Sequence, residues 1–217
     1  MSTNKLQKKA DKLSEYTVFG YIRIEQQNKS KNNHIPKAII ILILRFYYDP
    51  SDEFDPKLID KTITLSNNNK KIYRATPSGY CTSYGKRIIS SINNGVYIWK
   101  IKNLGPRNDI RFGIDNADAK YVNKMFYNRK TKGVYAYSPY GDTYSWNQND
   151  KRGSSTFYKG DIITLKLKLL SNISEFSIKI NDTDEYIAFT DILREESLNY
   201  RLAIQFGNKD LCMEILD

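Results

Sequence analysis

The sequence is poor in the residues that carry most catalytic and metal chemistry. It has a single histidine, His34, and two cysteines, Cys81 and Cys212, far apart and without a Cys-x-x-Cys pair. A structural zinc site needs four Cys or His ligands, which excludes zinc. A nucleophilic triad would have to recruit His34 from a Lys/Asn-rich stretch directly before Ile35-Pro36, which argues against hydrolysis of that kind. No Walker loop, GxGxxG, HExxH or GxSxG occurs. The acids of DPSDEFDP lack the glycine and terminal glutamate of a calcium loop, and Asp182, Asp184 and Glu185 read as a solvated turn. The expectation is a protein without cofactor or metal that is not an enzyme.

Long apolar runs are missing as well. The longest, Ala38 to Leu44, is far short of the ~20 residues a membrane helix needs, so no membrane partner is expected. The opening MSTNKLQKKADKLSEY lacks the apolar core of a secretory leader. With two free cysteines this points to the reducing cytoplasm, where the Asn-x-Ser/Thr triplets at Asn28, Asn172 and Asn181 go unused. Alanine is scarce, at 8 residues against 24 Lys, 20 Asn, 26 Ile and 17 Tyr, the balance that A/T-rich codons produce. That bears on the net charge of +10, which would otherwise suggest a polyanion. The lysines form no block: Lys100 and Lys102, or Lys166 and Lys168, alternate along candidate strands and read as solvated faces.

What is present falls into two patterns. In residues 1–56, Leu6, Ala10 and Leu13, then Val18, Tyr21, Ile22 and Glu25, recur at helical spacing. Pro36 suits the first turn of a third helix, with a buried strand as the alternative reading. In the helical reading Ile39, Ile40, Ile43, Leu44 and Tyr47 share one face, while Ile41 and Leu42 make the opposite face apolar. Such a helix needs cover on two sides, so Ile41 and Leu42 are candidate partner-docking residues. DPSDEFDP reads as the linker.

Residues 57–217 change to short alternating runs. Val96, Ile98 and Lys100 oppose Tyr97, Trp99 and Ile101; Ile163, Leu165, Leu167 and Leu169 alternate with Thr164, Lys166 and Lys168. Further strands are predicted at 59–65, 71–75, 87–92, 109–114, 133–138, 143–146, 174–180, 185–189, 200–206 and 211–216. Asn94-Gly95, between RIISSI and VYIWKI, carries the two-residue hairpin signal. Many short strands without intervening helices imply an antiparallel β-sandwich preceded by a small helical segment.

The order ISSINNGVYIWKIKN, IRFGIDNADAK, GVYAYSPYGDTYSW, FYKGDIITLKLKL, FSIKINDTDEYIAFTDI and YRLAIQFGNKDLCMEIL resembles a SPRY (B30.2-like) domain. Phe157, Gly160, Asp161 and Ile162 are similar to that family's turn, and Ala188-Phe189 to its Ala-Phe. The chain departs from the pattern in Lys100, where the family carries Glu, and in Asn181-Asp182, where it carries Asn-Gly. The resemblance implies a non-catalytic adaptor or assembly subunit that binds a protein or peptide through loops at one edge of the sandwich. Aromatic loop residues are the candidate contacts, since Tyr and Trp give large contact area at small entropic cost. These are Tyr80 and Tyr84; Tyr121, Phe126 and Tyr127; and Tyr140, beside Tyr144 and Trp146. By resemblance the middle loop and the turn Phe206-Gly207-Asn208 belong to the contact surface. Many of the chain's aromatics are expected to pack the core, Trp99 and Trp146 above all. Arg74, Arg107, Lys124 and Arg129 would favour an acidic or polar target. The alternative partner is nucleic acid or a ribonucleoprotein.

Overall fold

The computed structural model describes residues 52–217, apart from 77–78, 107–109, 119–121, 123–131, 147–150, 153–155, 208 and 217. Residues 1–51, including Ile41 and Leu42, lie outside the described residues. Fourteen strands occur among the described residues: β1 (Ile63–Ser66), β2 (Lys71–Arg74), β3 (Cys81–Tyr84), β4 (Ile89–Ser90), β5 (Gly95–Asn103), β6 (Ile110–Asn116), β7 (Tyr135–Tyr137), β8 (Asp142–Ser145), β9 (Lys151–Arg152), β10 (Ile162–Leu170), β11 (Ile173–Ile180), β12 (Tyr186–Thr190), β13 (Asn199–Phe206) and β14 (Leu211–Leu216).

The strands form two antiparallel sheets. The first runs β1-β2-β14-β5-β10-β11-β12; the second runs β3-β13-β6-β7-β8-β9, with β4 also on β13. Alternation sets which side chains lie between them. In β10 the residues Ile163, Leu165, Leu167 and Leu169 are fully buried while Thr164, Lys166 and Lys168 keep solvent contact. At ~1.5–3 kcal/mol per large apolar side chain, those four fix the register, because a one-residue slip would bury the lysines instead. Trp99 and Ile101 of β5 face them from the neighbouring strand, and Ile98 and Lys100 point out, as the alternation predicts. From the second sheet Ile110, Phe112, Ile114, Tyr200, Leu202 and Ile204 close the core.

The Asn94-Gly95 hairpin does not form. β5 pairs with β10 and β14, whereas β4 pairs with β13 in the other sheet. The chain crosses between sheets at this point, and neither Asn94 nor Gly95 takes the positive φ that a type I′ turn requires. Arg194 secures the crossing. Its guanidinium donates to the carbonyls of Ser91 (3.0 Å), Ile92 (2.7 Å) and Leu170 (2.5 Å) and to Asn94 Oδ1 (3.0 Å). The left-handed turn residues are elsewhere: Asn67, Asn68 and Asn69 all have positive φ in the β1–β2 turn, a conformation Asn tolerates better than most residues.

The segment read as linker belongs to the sandwich. Phe54 has no exposed surface and lies in the core, Phe54 forms a β-bridge with Gly85, and Asp55 N donates to Tyr84 O at 2.8 Å. Glu53 pairs with Lys86 at 2.5 Å and Asp52 with Arg87 at 3.5 Å. The compact unit is Asp49–Asp217, so the sandwich takes in residues ahead of position 57. The prolines and acids that mark a turn also conceal one core aromatic between them.

Candidate functional site

Three adjacent strands of the second sheet start or stop at one level. Cys81, Phe206 and Ile110 lie opposite one another in register, so the turns before β3 and after β13 gather at one end with the connection into β6. Phe112 opposes Tyr137, which brings the tip of the β7–β8 hairpin to the same end. Arg74 ties two of these turns together. It comes from β2 of the first sheet, is fully buried, and donates to Gly79 O at 2.6 Å and Phe206 O at 3.0 Å; its own carbonyl accepts Asp210 N at 2.7 Å. A guanidinium can reach two separate carbonyls at once because its donors fan out in one plane. The loop-surface role expected of Arg74 is therefore corrected: it works from inside. Arg107, Lys124 and Arg129 lie outside the described residues.

Tyr140 is an exposed aromatic of this end, at 57 %, and Tyr73, whose hydroxyl bonds Asp210, is another. The Tyr140 turn is braced by Ser138, whose Oγ accepts from the amides of Tyr140 (3.2 Å) and Asp142 (3.0 Å), and Gly141 takes φ +87° to close it. Tyr80 is half-buried at the start of β3, and Gly207 is half-buried after β13. Two of the aromatics expected at the surface are core residues instead. Phe206 points between the sheets. Tyr84 has no exposed surface; its hydroxyl donates to the buried Asp115 Oδ2 at 2.9 Å and the Arg201 guanidinium lies 5.7 Å from its ring centre. Both alternate onto covered faces, which a loop assignment could not register. Tyr121, Phe126, Tyr127 and Asn208 lie outside the described residues.

Sequence reading missed the outer face of this sheet. Tyr84, Ala203, Gly113, Ala136 and Tyr144 form one row across five strands, small residues between two tyrosines. A Cβ on Gly113 would come within 1.9 Å of Tyr135 O, so glycine is required. Beside it runs a polar row, Thr82, Gln205 and Arg111, with Thr82 and Gln205 fully buried and Arg111 over the Tyr144 ring at 5.6 Å. The cover includes Leu58 and Val122, whose carbonyl accepts Thr82 N at 2.8 Å. The signal lay in the small residues on otherwise bulky strands.

The Phe-x-x-Gly-Asp-Ile turn forms as read. Phe157 is buried edge-on against Phe112 at 5.1 Å, Gly160 takes φ +95°, and Asp161 Oδ2 accepts Tyr158 N at 2.6 Å. Asn181 does the work expected of an Asn-Gly turn through its own φ of +51°, and it donates from Nδ2 to Asp161 Oδ1 at 2.8 Å. Trp99 is buried and Trp146 packs against the core from a half-buried position. Burial pushes the Cys81 thiol up to about 11, so it is a packing residue at neutral pH. Tyr135 and Tyr200 are also pushed up by burial, and their hydroxyls bond the amide and the carbonyl of Leu193. Among the described residues no three His, Cys, Asp or Glu gather to hold a metal, and no helix is long and apolar enough to cross a membrane. The groups at the loop end offer hydrogen bonds and aromatic contact.

No protein-family model matches the sequence, and no curated protein matches it. Solved structures do. The SPRY domain of human HERC1 matches with a TM-score of 0.59 at 19% identity, covering 76% of this chain and 97% of that one. The TRIM65 PSpry domain matches with a TM-score of 0.58 at 9% identity, covering 85% and 97%. The Drosophila melanogaster Neuralized NHR1 domain matches with a TM-score of 0.50 at 18% identity, covering 78% and 99%. At these identities the likeness establishes the fold: the chain is a SPRY-like antiparallel β-sandwich.

Proposed function

We propose that this protein is a non-catalytic recognition module, an adaptor or assembly subunit of the cytoplasm, that binds a protein or peptide at the loop end of the second sheet. The observation that carries the reading is Tyr140, exposed on a hairpin tip that Ser138 braces, at the same end of the sheet as Tyr80 and as Phe206, whose carbonyl Arg74 holds. A fixed, exposed aromatic loses little entropy on binding and suits the centre of a contact. The SPRY-like fold supports it, since the family resemblance implies ligand contact through loops at one edge. Tyr121, Phe126 and Tyr127 complete the proposed surface.

Replacing Tyr80 and Tyr140 together by alanine is expected to weaken capture of the partner at least tenfold, because hot-spot aromatics are worth ~2 kcal/mol or more each. Affinity capture with mass spectrometry, in low and in high salt, reads this out, with the melting temperature as control. Retention of the same partners by the folded double variant would overturn the assignment. Loss of every wild-type partner at high salt would point to a polyanion instead.

A further inference from the structure

The asparagine-glycine pair that builds no hairpin stands at the other end of the sandwich. β5 starts at Gly95 and comes level with β2 and Arg74, across β14, only at its far end. Of the 20 asparagines in the sequence, Asn94 alone precedes a glycine. That order has a chemistry of its own. With no side chain on the following residue, its backbone nitrogen is open to attack the asparagine carboxamide, an approach that a Cβ hinders elsewhere. Ile92, Asn93 and Asn94 are exposed, so water reaches the pair.

The carboxamide is also oriented. Oδ1 accepts from the Arg194 guanidinium at 3.0 Å, and Nδ2 donates to Ser171 Oγ at 3.3 Å. The guanidinium has only donors, which fixes the oxygen on its side. Arg194 is held in place by the carbonyls of Ser91, Ile92 and Leu170. Negative charge develops on Oδ1 when the Gly95 nitrogen adds to Cγ, and again when water later adds to the same carbon. A preorganised guanidinium stabilises that charge both times. In the first step the Gly95 nitrogen gives up its proton and bonds Cγ, the Cγ–Nδ2 bond breaks, and ammonia leaves on the Ser171 side. In the second, water opens the succinimide ring. Attack at Cγ gives aspartate with the chain unaltered; attack at the backbone carbonyl gives isoaspartate, whose extra backbone carbon would disturb the pairing of Gly95 with Leu169 at the start of β5. We propose that Asn94 is a deamidation site of the folded protein and that Arg194 steers the succinimide to aspartate, which it then holds as an ion pair.

The test incubates the full chain in native buffer at mildly alkaline pH and maps its peptides by mass spectrometry, with a synthetic peptide of residues 88–100 as the unstructured comparison. Asn94 is expected to convert before any other asparagine of the chain. Hydroxylamine, which cleaves succinimides, should cut the incubated protein between Asn94 and Gly95. In the free peptide isoaspartate should exceed aspartate, because the backbone carbonyl is the more open to water; in the folded chain the ratio should invert. R194K, whose ammonium cannot span the carbonyls and Oδ1 together, should move the ratio back towards that of the peptide. N94D, which is the product itself, should melt at or above the wild-type temperature, since a carboxylate accepts from a guanidinium more strongly than an amide does. Asn94 left intact while other asparagines convert, aspartate formed without a hydroxylamine-sensitive intermediate, or equal product ratios in the folded chain and the peptide would each overturn the proposal. So would an N94D variant that melts below the wild type.

Discussion

Arg74 shows how far one side chain can govern the loop end. Its donors bond the carbonyl of Phe206 in a buried site and that of Gly79 at the exposed rim. An apolar replacement of similar length, Arg74→Met, leaves the buried Phe206 carbonyl without this donor, at ~1–3 kcal/mol for a buried unsatisfied group, while the Gly79 carbonyl can turn to water. The expected outcome is a loss of about 2 kcal/mol in urea unfolding. Arg74→Lys should recover only part of it, because one ammonium cannot reach two carbonyls as a planar fork does. Equal stability of the wild type and the methionine variant would remove Arg74 as an anchor. The residue also marks where sequence reading is blind: in KIYR an arginine at a strand end looks like a surface charge, and only its place on the inward face makes it structural. Tyr84 and Phe206 misled in the same way. Each stands beside turn residues in the sequence, yet alternation carries one onto the covered outer face and the other into the core.

Among the elements, those with regular alternation were legible and those defined by their surroundings were not. β10, β11 and β5 are read directly from the period of their apolar residues, and the Phe157 to Ile162 turn from its glycine and its capping acid. β3 was missed because CTSY has no amphipathic pattern; it is buried on both faces, with Thr82 and Ser83 inside. The Asn94-Gly95 signal did not hold even locally: the turn lies ahead of it, closed by Asn93 N on Ser90 O, Gly95 is the first residue of β5, and tertiary pairing sends the two flanking strands to different sheets. Glu185 offers a test at this scale, since it clasps three strands: it accepts a hydrogen bond from Ser177 Oγ of β11 and an ion pair from Lys166 of β10, just ahead of β12. The Ser177 hydrogen bond above all holds its carboxyl below the usual range; burial opposes it, and the hydrogen bond and charge of Lys166 add to the lowering. A carboxyl depressed in the folded state stabilises the protein above its unfolded pKa, and that contribution is lost as pH falls through the lower folded value. Glu53, depressed by Lys86, acts in the same direction. Glu185→Gln should therefore cost about 1 kcal/mol or less at pH 7, as suits a half-exposed, solvent-screened pair. Its stability should fall less steeply than that of the wild type below about pH 4.5, so that the two urea-derived curves converge in acid. Parallel curves would show that Glu185 has the same pKa in both states.

At the scale of the whole molecule, composition divides the chain at 56/57, whereas packing includes residues ahead of that point. Phe54 fills a place in the core, Phe54 and Gly85 form a bridge, and Asp55 closes the free edge of β3 through Tyr84 O. A fragment that starts at residue 57 loses the aromatic, the bridge and the ion pairs of Asp52 and Glu53 together, and exposes the backbone of β3 that they covered. Deleting a buried phenylalanine alone costs ~3–5 kcal/mol, a large share of the ~5–15 kcal/mol that holds a domain of this kind together. Fragments 49–217 and 57–217 should thus differ sharply in urea unfolding, with the longer one close to the full chain and the shorter one marginal or aggregated through its open edge. Phe54→Ala in the full chain separates the contributions: it should reproduce most of the destabilisation while keeping the edge covered and the protein monomeric. If 57–217 proved as stable as 49–217, and Phe54→Ala had no effect, Phe54 would be a passenger on the sandwich, and the division at 56/57 would be the true edge of the fold.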